Sequence, residues 1–153
     1  SRGLGDVYKR QAAYYKRLIG DDVAERERCA VAWSSWEGET VSVEGPDARP
    51  EKFAEPDFAV AFARIENWFF TNGGFFEEDG WILKNVDRMR HIPCWIAQGR
   101  FDVVTPISGA WALHRAWPEA HLDIVPDAGH ASSEPGIVDS LVRATDWAAT
   151  VRS

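Results

Sequence analysis

The 153-residue chain lacks several features that define common classes of protein. It carries no excess of positive charge, because 17 Lys and Arg residues stand against 24 Asp and Glu residues, for a formal net charge of −7. Nucleic acids and anionic membrane surfaces bind through basic patches, so we expect neither as a partner. No apolar run approaches the roughly 18 residues that a membrane-spanning helix needs. The sequence also lacks the basic start followed by an apolar stretch that is typical of a signal peptide.

Cysteine and histidine are too few and too scattered for a disulfide framework or a metal centre. The two cysteines, Cys29 and Cys94, lie far apart with no CxxC spacing. We interpret them as buried thiols of a reduced compartment and expect a cytoplasmic protein. The four histidines show no HExxH or similar spacing, so we expect no metal and no cofactor.

The first eleven residues, "SRGLGDVYKRQ", fit neither a helical nor a strand period. The end of this stretch, "DVYKRQ", resembles the translation of a transposon-based sequencing adaptor. We therefore interpret residues 1–11 as a non-native segment and leave them out of the fold prediction. On that interpretation the natural protein continues upstream, and this chain is a fragment.

The next part of the chain has helical periodicity. Two helices are predicted within residues 12–37, ended by Gly20 and Gly38. A polar connector covers residues 38–55, and Pro56 then begins a third helix, which ends at "TNGG". The predicted core face of that third helix consists of Phe58, Phe62, Ile65 and Phe69.

The last part alternates between strands and helices. The runs "CWIAQG" and "HLDIV" are typical of fully buried strands, and helices are predicted over 106–117 and from Pro135 onward. Strand, helix, strand, helix predicts parallel strands and an α/β fold. The predicted organisation is a helical region over 12–90 followed by an α/β region over 91–153. The final helix is expected to bury Ile137, Leu141, Ala144 and Ala148.

Two polar residues follow the predicted strands. Asp102 comes after "CWIAQGRF", and His130 comes after "LDIVPDAG". Because ligands gather beyond the carboxyl ends of parallel strands, we expect these side chains to lie close together. An Asp that orients a His is the back half of a nucleophile–His–acid triad, and the acid precedes the His in α/β-hydrolases. A turn-forming Asp and a solvated His are the alternative, which their joint position disfavours.

Two glutamates of the helical region depart from local rules. Glu66 is four residues from both Phe62 and Phe70, so its carboxylate shares a helix face with two aromatic rings and needs a cationic partner. Glu37 lies at the end of a helix, where the helix dipole disfavours negative charge. Such departures tend to mark functional positions. The alternative is a solvated Glu37 and a Glu66 that pairs with Arg64 or another structural cation.

The stretch from "GRFDVV" to "VRATD" resembles the C-terminal part of proline iminopeptidases, the prolyl aminopeptidase branch of the α/β-hydrolases. "WSSWEGE" and "ARIENWFF" are similar to cap helices of the same family, and the resemblance covers residues 12–150. It implies the C-terminal part of an α/β-hydrolase parallel sheet with a helical cap. It also implies a serine enzyme that releases N-terminal proline from small peptides without a cofactor.

The resemblance further implies a role for each candidate residue. Asp102 matches the triad acid, and His130 matches the base. Glu37 in "WEG" and Glu66 in "IEN" match two glutamates that hold the imino group of the N-terminal proline, and Phe70 matches a wall of the proline-ring pocket. Two alternatives stay open. One is an α/β-hydrolase for an ester, epoxide or lactone, and the other is a non-catalytic binding module.

A nucleophile for this chemistry is missing from the 153 residues. They contain no G-x-S-x-G elbow and no His-Gly-Gly-type loop to supply oxyanion-hole amides. Ser108 lies at a predicted helix start, and Ser132 and Ser133 directly follow the His130 loop. We therefore predict that this chain alone does not hydrolyse peptides. We also predict that it is poorly stable, because its strands would expose faces meant for absent neighbours.

Overall fold

The computed structural model describes residues 2–43 and 51–151, with side chains from residue 9 onward. The chain divides into two compact units. One comprises residues 1–39 and 49–77, and the other comprises residues 40–48 and 78–153. The predicted boundary at residue 90 differs from this division, since Val86 packs against Trp117 and Ala120 in the second unit.

The first unit is helical, as predicted. Asp22 begins the second helix by accepting a hydrogen bond from the backbone N–H of Glu25 at 3.0 Å, and Pro56 opens the third helix. That helix ends before Gly73 and Gly74, both of which have positive φ angles that glycine adopts readily. The elements are α1 (Arg2–Leu18), α2 (Val23–Thr40), a 3-10 turn (Glu51–Ala54), α3 (Pro56–Thr71) and a second 3-10 turn (Gly73–Phe75).

Two predictions about helix limits are wrong. The first helix was predicted to begin at residue 12, but residues 2–11 form its first part. Adding a residue to an existing helix costs far less free energy than starting a helix, so the helix of the "AAYYKRL" stretch extends towards the N-terminus. The predicted stop at Gly38 also fails, because α2 continues to Thr40. Gly38 is buried within α2, and packing of this kind overrides its low helix propensity.

The core of the first unit lies between its helices. Leu18, Cys29 and Trp33 are buried there together with two alanines of α3, Ala59 and Ala63. The predicted core face of α3 is therefore wrong in part. Ile65 and Phe69 are exposed, while Phe58 and Phe62 are half-buried and stack at 5.7 Å. Small alanine side chains allow α1 to pack closely along α3.

The second unit contains the predicted parallel strands. They form a two-stranded sheet within the described residues, with a register running from Trp95 opposite His121 to Gly99 opposite Val125. The α/β class and the parallel pairing are confirmed at this level. The elements are α4 (Trp81–Lys84), a 3-10 turn (Val86–Arg88), β1 (Trp95–Gly99), α5 (Ile107–Ala116), β2 (His121–Val125) and α6 (Pro135–Val151).

The strands are less buried than predicted. In β1 only Gln98 and Gly99 are buried, and in β2 His121 and Ile124 are exposed. The reason is that the described sheet has only two strands, and α5 and α6 cover its faces only in part. The predicted face of α6 is likewise wrong in part, since Leu141 is exposed. Within the described ranges, no helix is both long and apolar enough to cross a membrane.

Candidate active site

The carboxylate of Asp102 is held in the turn that follows β1. Its Oδ1 accepts the backbone N–H groups of Val104 and Thr105 at 3.0 and 2.8 Å. Its Oδ2 accepts the Thr105 hydroxyl at 2.8 Å and, more weakly, Nε2 of Gln98 at 3.4 Å. The side chain is only 6% exposed. The carboxylate is therefore fixed in position before any substrate binds.

His130 lies against this carboxylate. Its Nδ1 is 2.9 Å from Oδ2 of Asp102 and 3.2 Å from Oγ1 of Thr105. An ionised carboxylate only accepts hydrogen bonds, so the neutral ring carries its hydrogen on Nδ1 and leaves a lone pair on Nε2. The imidazole is 37% exposed, which gives a reacting group access to it. Asp102 and His130, predicted to be neighbours, are brought together by the structure.

The surroundings of Asp102 favour its charged form. Burial raises the pKa of this carboxyl, but hydrogen bonds from the Thr105 backbone, His130 and the Thr105 hydroxyl outweigh burial and lower it below the ordinary value. A carboxylate that stays ionised can stabilise the positive charge that forms when His130 takes a proton.

The His130 loop is pressed against the end of β1. A Cβ added to Gly99 would lie 1.9 Å from the carbonyl oxygen of Gly129 and 2.7 Å from that of Ala128. The backbone N–H of Phe101 also donates to the Ala128 carbonyl at 2.9 Å. Only glycine at position 99 permits this contact, which fixes the distance between the two loops that carry Asp102 and His130.

A small cleft opens beside the pair. Its volume is about 230 Å³, which suits one small group rather than a whole peptide. Its lining includes Gln98, Asp102, Thr105, His130, Ser132 and Leu141.

The second predicted group of residues lies in the helical unit. Trp33 of α2 donates its indole Nε1–H to Oε2 of Glu66 at 2.5 Å, and its ring is 6.5 Å from that of Phe70. Glu37 is one helical turn beyond Trp33 and is only 7% exposed, so the alternative of a solvated Glu37 is wrong. The structure thus brings Glu66 and Phe70 together around Trp33, with Glu37 on the same face of α2.

A larger groove in the same unit involves different residues. It has a volume of about 550 Å³ and lies between α1 and α3. Neither Glu37, Glu66 nor Phe70 lines it, so it is a separate feature from the predicted substrate-binding residues. Its apolar lining includes Tyr15, Ile19, Val60, Ile65, Trp68 and Phe69.

Several residues that build the site were not singled out from the sequence. Thr105 and Gln98 bind the Asp102 carboxylate, Gly99 allows the loops to approach, and Trp33 binds Glu66. Buried Glu134 accepts the backbone N–H of Gly129. The sequence offered one signal, since Trp33 precedes Glu37 by one helical turn, but the other contacts depend on tertiary packing.

Comparison with known proteins identifies relatives of this chain. A proline iminopeptidase of Xanthomonas citri is 48% identical to the chain over 135 residues, and a probable proline iminopeptidase of Leptolyngbya boryana is 52% identical over 135 residues. The predicted resemblance is confirmed. The chain is a relative of proline iminopeptidases. A proline iminopeptidase of Arabidopsis thaliana is 48% identical over 134 residues.

These matches cover most of this chain but less than half of each relative. They include 88% of the chain in all three cases, against 42% of the Leptolyngbya, 43% of the Xanthomonas and 35% of the Arabidopsis protein. The chain thus spans about two fifths of the length of the curated proline iminopeptidases that it matches. No protein-family model matches it.

Proposed function

We propose that the chain is the C-terminal part of an α/β-hydrolase that releases N-terminal proline from small peptides. The observation that carries this proposal is the 2.9 Å hydrogen bond between His130 and Asp102, in a chain about half identical to proline iminopeptidases. The parallel pairing of β1 and β2 supports it, since both residues follow the carboxyl ends of these strands.

In the proposed mechanism, His130 is the general base and Asp102 holds it. A serine that is not among these 153 residues attacks the carbonyl carbon of the N-terminal proline. Nε2 of His130 takes the serine proton and then gives it to the leaving amine, while Asp102 stabilises the imidazolium. The acyl-enzyme is then hydrolysed by water with the same base. Without that serine, the 153-residue chain has no peptidase activity.

The helical unit selects the substrate in this proposal. Glu37 and Glu66 bind the positively charged imino group of an N-terminal proline, and Phe70 contacts its ring. Trp33 supports this assignment because its indole N–H holds one oxygen of Glu66, which orients the carboxylate. Carboxylates form strong charge-assisted hydrogen bonds with a protonated amine, which suits both glutamates to this role.

An ester, epoxide or lactone substrate is the second candidate. The Asp102–His130 pair suits those substrates equally well. The two glutamates distinguish the candidates, because an uncharged substrate offers no amine for Glu37 and Glu66 to bind.

A chimera tests the proposal. The 135 matched residues of the Xanthomonas citri proline iminopeptidase are replaced by the corresponding residues of this chain. The chimera is then assayed with the 4-nitroanilides of proline and alanine and with an uncharged nitrophenyl ester. We expect release of nitroaniline from the proline amide in preference to the alanine amide, and no release by the 153-residue chain alone.

Glu66→Gln in the chimera separates the two candidates. We expect kcat/KM for the proline amide to fall about 10- to 100-fold, because a charged hydrogen-bonding partner of the amine is lost. Turnover of the ester should be unaffected. Glu77→Gln, at an exposed position of the same unit, is the matched control. Unchanged turnover of the proline amide by Glu66→Gln would rule out the amine-binding role and favour the ester, epoxide or lactone class.

A further inference from the structure

Glu134 is a buried carboxylate behind the His130 loop. It is only 5% exposed. Its Oε1 accepts the Ser42 hydroxyl and the Val43 backbone N–H, both at 3.0 Å, and its Oε2 accepts the Gly129 backbone N–H at 2.5 Å. All three of these donors are uncharged. Burial of a carboxylate is costly unless hydrogen bonds compensate for lost hydration, and these three hydrogen bonds tie the carboxylate to two separate segments of the chain.

The His130 loop, residues 129–134, is hydrogen-bonded to the segment 41–43. Together the two segments form a clamp, and the hydrogen bonds of Glu134 complete it. The backbone N–H groups of His130 and Ala131 both donate to the carbonyl of Val41, at 2.8 and 2.7 Å. Glu134 takes the N–H of the preceding residue, Gly129, and also holds the two residues that follow Val41. Three consecutive amides of the loop are therefore fixed. The direction in which the imidazole leaves the backbone is fixed with them.

We propose that Glu134 is a positioning residue for His130. It does not touch the ring. It holds the loop so that Nδ1 faces Asp102 at hydrogen-bonding distance, which leaves Nε2 for proton transfer. The catalytic consequence rests on the proposed function, whereas the effect on ring orientation does not.

A purely structural role for Glu134 makes a different prediction. Glu134 directly precedes Pro135, the first residue of α6, and its carbonyl accepts the Val138 N–H at 2.9 Å. A negative charge at a helix N-terminus stabilises the helix. If this were its only role, removing the charge would lower stability without a selective effect on the His130 ring.

The test is an NMR measurement on the chimera described above, labelled with ¹⁵N-histidine. The proton on Nδ1 of His130 is observed through its hydrogen bond to Asp102. In Glu134→Gln, the single amide oxygen cannot serve both Gly129 and the Ser42–Val43 pair, and its NH₂ group meets a donor. We expect the hydrogen-bonded Nδ1 proton signal to be lost. Asp146→Asn, an exposed position of α6, removes the same charge and should leave the signal unchanged.

Activity provides the second measurement, in the chimera described above. We expect Glu134→Gln to lower kcat for the proline amide about 100-fold, as a displacement of about 1 Å at a catalytic group does, with KM unchanged. A retained Nδ1 signal together with unchanged kcat would overturn the proposal. An Nδ1 signal that is present in the unsubstituted chimera and lost in Glu134→Gln, in a chimera without turnover even before substitution, would support the positioning role and reject the proposed function.

A second variant keeps the test decisive if Glu134→Gln does not fold. Glu134→Asp keeps the charge but shortens the side chain by one methylene, so the carboxylate no longer reaches both sides of the clamp. We expect a weakened Nδ1 signal, with kcat between those of the unsubstituted protein and of Glu134→Gln. A folded Glu134→Asp with an undiminished signal would contradict the proposal.

Discussion

Gly99 lies so close to Gly129 that a side chain at position 99 has no room, since its Cβ would be 1.9 Å from the Gly129 carbonyl oxygen. This contact joins the end of β1 to the loop that carries His130. Because the obstructing atom belongs to the backbone, no rotation of a side chain relieves the clash. The separation of Asp102 and His130 therefore depends on a glycine that carries no chemistry of its own.

Gly99→Ala should displace the His130 loop and destabilise the second unit. We expect the free energy of unfolding to fall by about 3 kcal/mol, as overpacking of a closely packed site does, and the hydrogen-bonded Nδ1 proton of His130 to disappear. Chemical denaturation and NMR of the chimera measure the two effects. Gly109→Ala is the matched control, because an added Cβ there meets nothing within 4 Å, and alanine at this helical position should stabilise slightly. Equal stability of the two variants would contradict this account.

Asp102→Asn should remove most of the catalytic activity while leaving the fold intact. The amide cannot accept the Nδ1 hydrogen and the hydrogen bonds of Thr105 as an ionised carboxylate does, so His130 loses its orientation and its charge partner. We expect kcat for the proline amide to fall by about three to four orders of magnitude in the chimera. Asp146→Asn is again the control. A fall of less than about tenfold would mean that Asp102 is a turn residue only.

Trp33→Phe should weaken substrate binding more than turnover. The substitution keeps an aromatic ring in the core but removes the indole N–H that holds Glu66 at 2.5 Å. Without this donor the carboxylate is less well oriented towards the substrate amine, and we expect KM for the proline amide to rise about tenfold with little change in kcat. Trp36→Phe, at an exposed neighbouring position, should leave both constants unchanged. A fall in kcat with constant KM would contradict a role in binding.

Asp123 should make stability depend on pH in the acid range. The Ser140 hydroxyl lowers the pKa of this carboxyl, partial burial opposes that effect, and Arg143 lowers the pKa further, so that the net shift is downward. A carboxyl whose pKa is lower in the folded chain stabilises it at neutral pH, and this contribution is lost as the pH falls through the folded-state pKa.

We therefore expect Asp123→Asn to cost about 1 kcal/mol near pH 7, with the difference shrinking below about pH 4. Urea unfolding of the chimera with and without Asp123→Asn, from pH 7 to pH 3, measures this dependence. A difference that stays constant over the whole range would show that the charge of Asp123 contributes nothing to stability.

The fold was predictable where local patterns determine it. The start of α3 at Pro56 and the parallel pairing of "CWIAQG" with "HLDIV" both follow from short-range signals. The end of α2 did not, because burial of Gly38 outweighs its helix-breaking tendency. The exposed side of α3 was also missed, since the packing of α1 against Ala59 and Ala63 is a tertiary contact that local sequence patterns do not specify.

The site, too, was predictable where local sequence patterns indicate it and not where it depends on tertiary packing. Asp102 and His130 were predictable because each follows a predicted strand and the acid precedes the histidine, as in α/β-hydrolases. Gly99 and Thr105 give no such signal, as glycine and threonine are common in turns of every kind. Glu134 resembles a solvated acid in the sequence, and only its burial among Gly129, Ser42 and Val43 distinguishes it.

The central claim is that His130 is the base of a proline-releasing serine hydrolase. The most direct measurement is the rate of nitroaniline release from the proline 4-nitroanilide by the Xanthomonas chimera, with and without His130→Ala. We predict clear turnover by the chimera and a loss of at least about 1,000-fold in His130→Ala. A chimera whose turnover survives His130→Ala would contradict the account, because the proton would then be taken by another group.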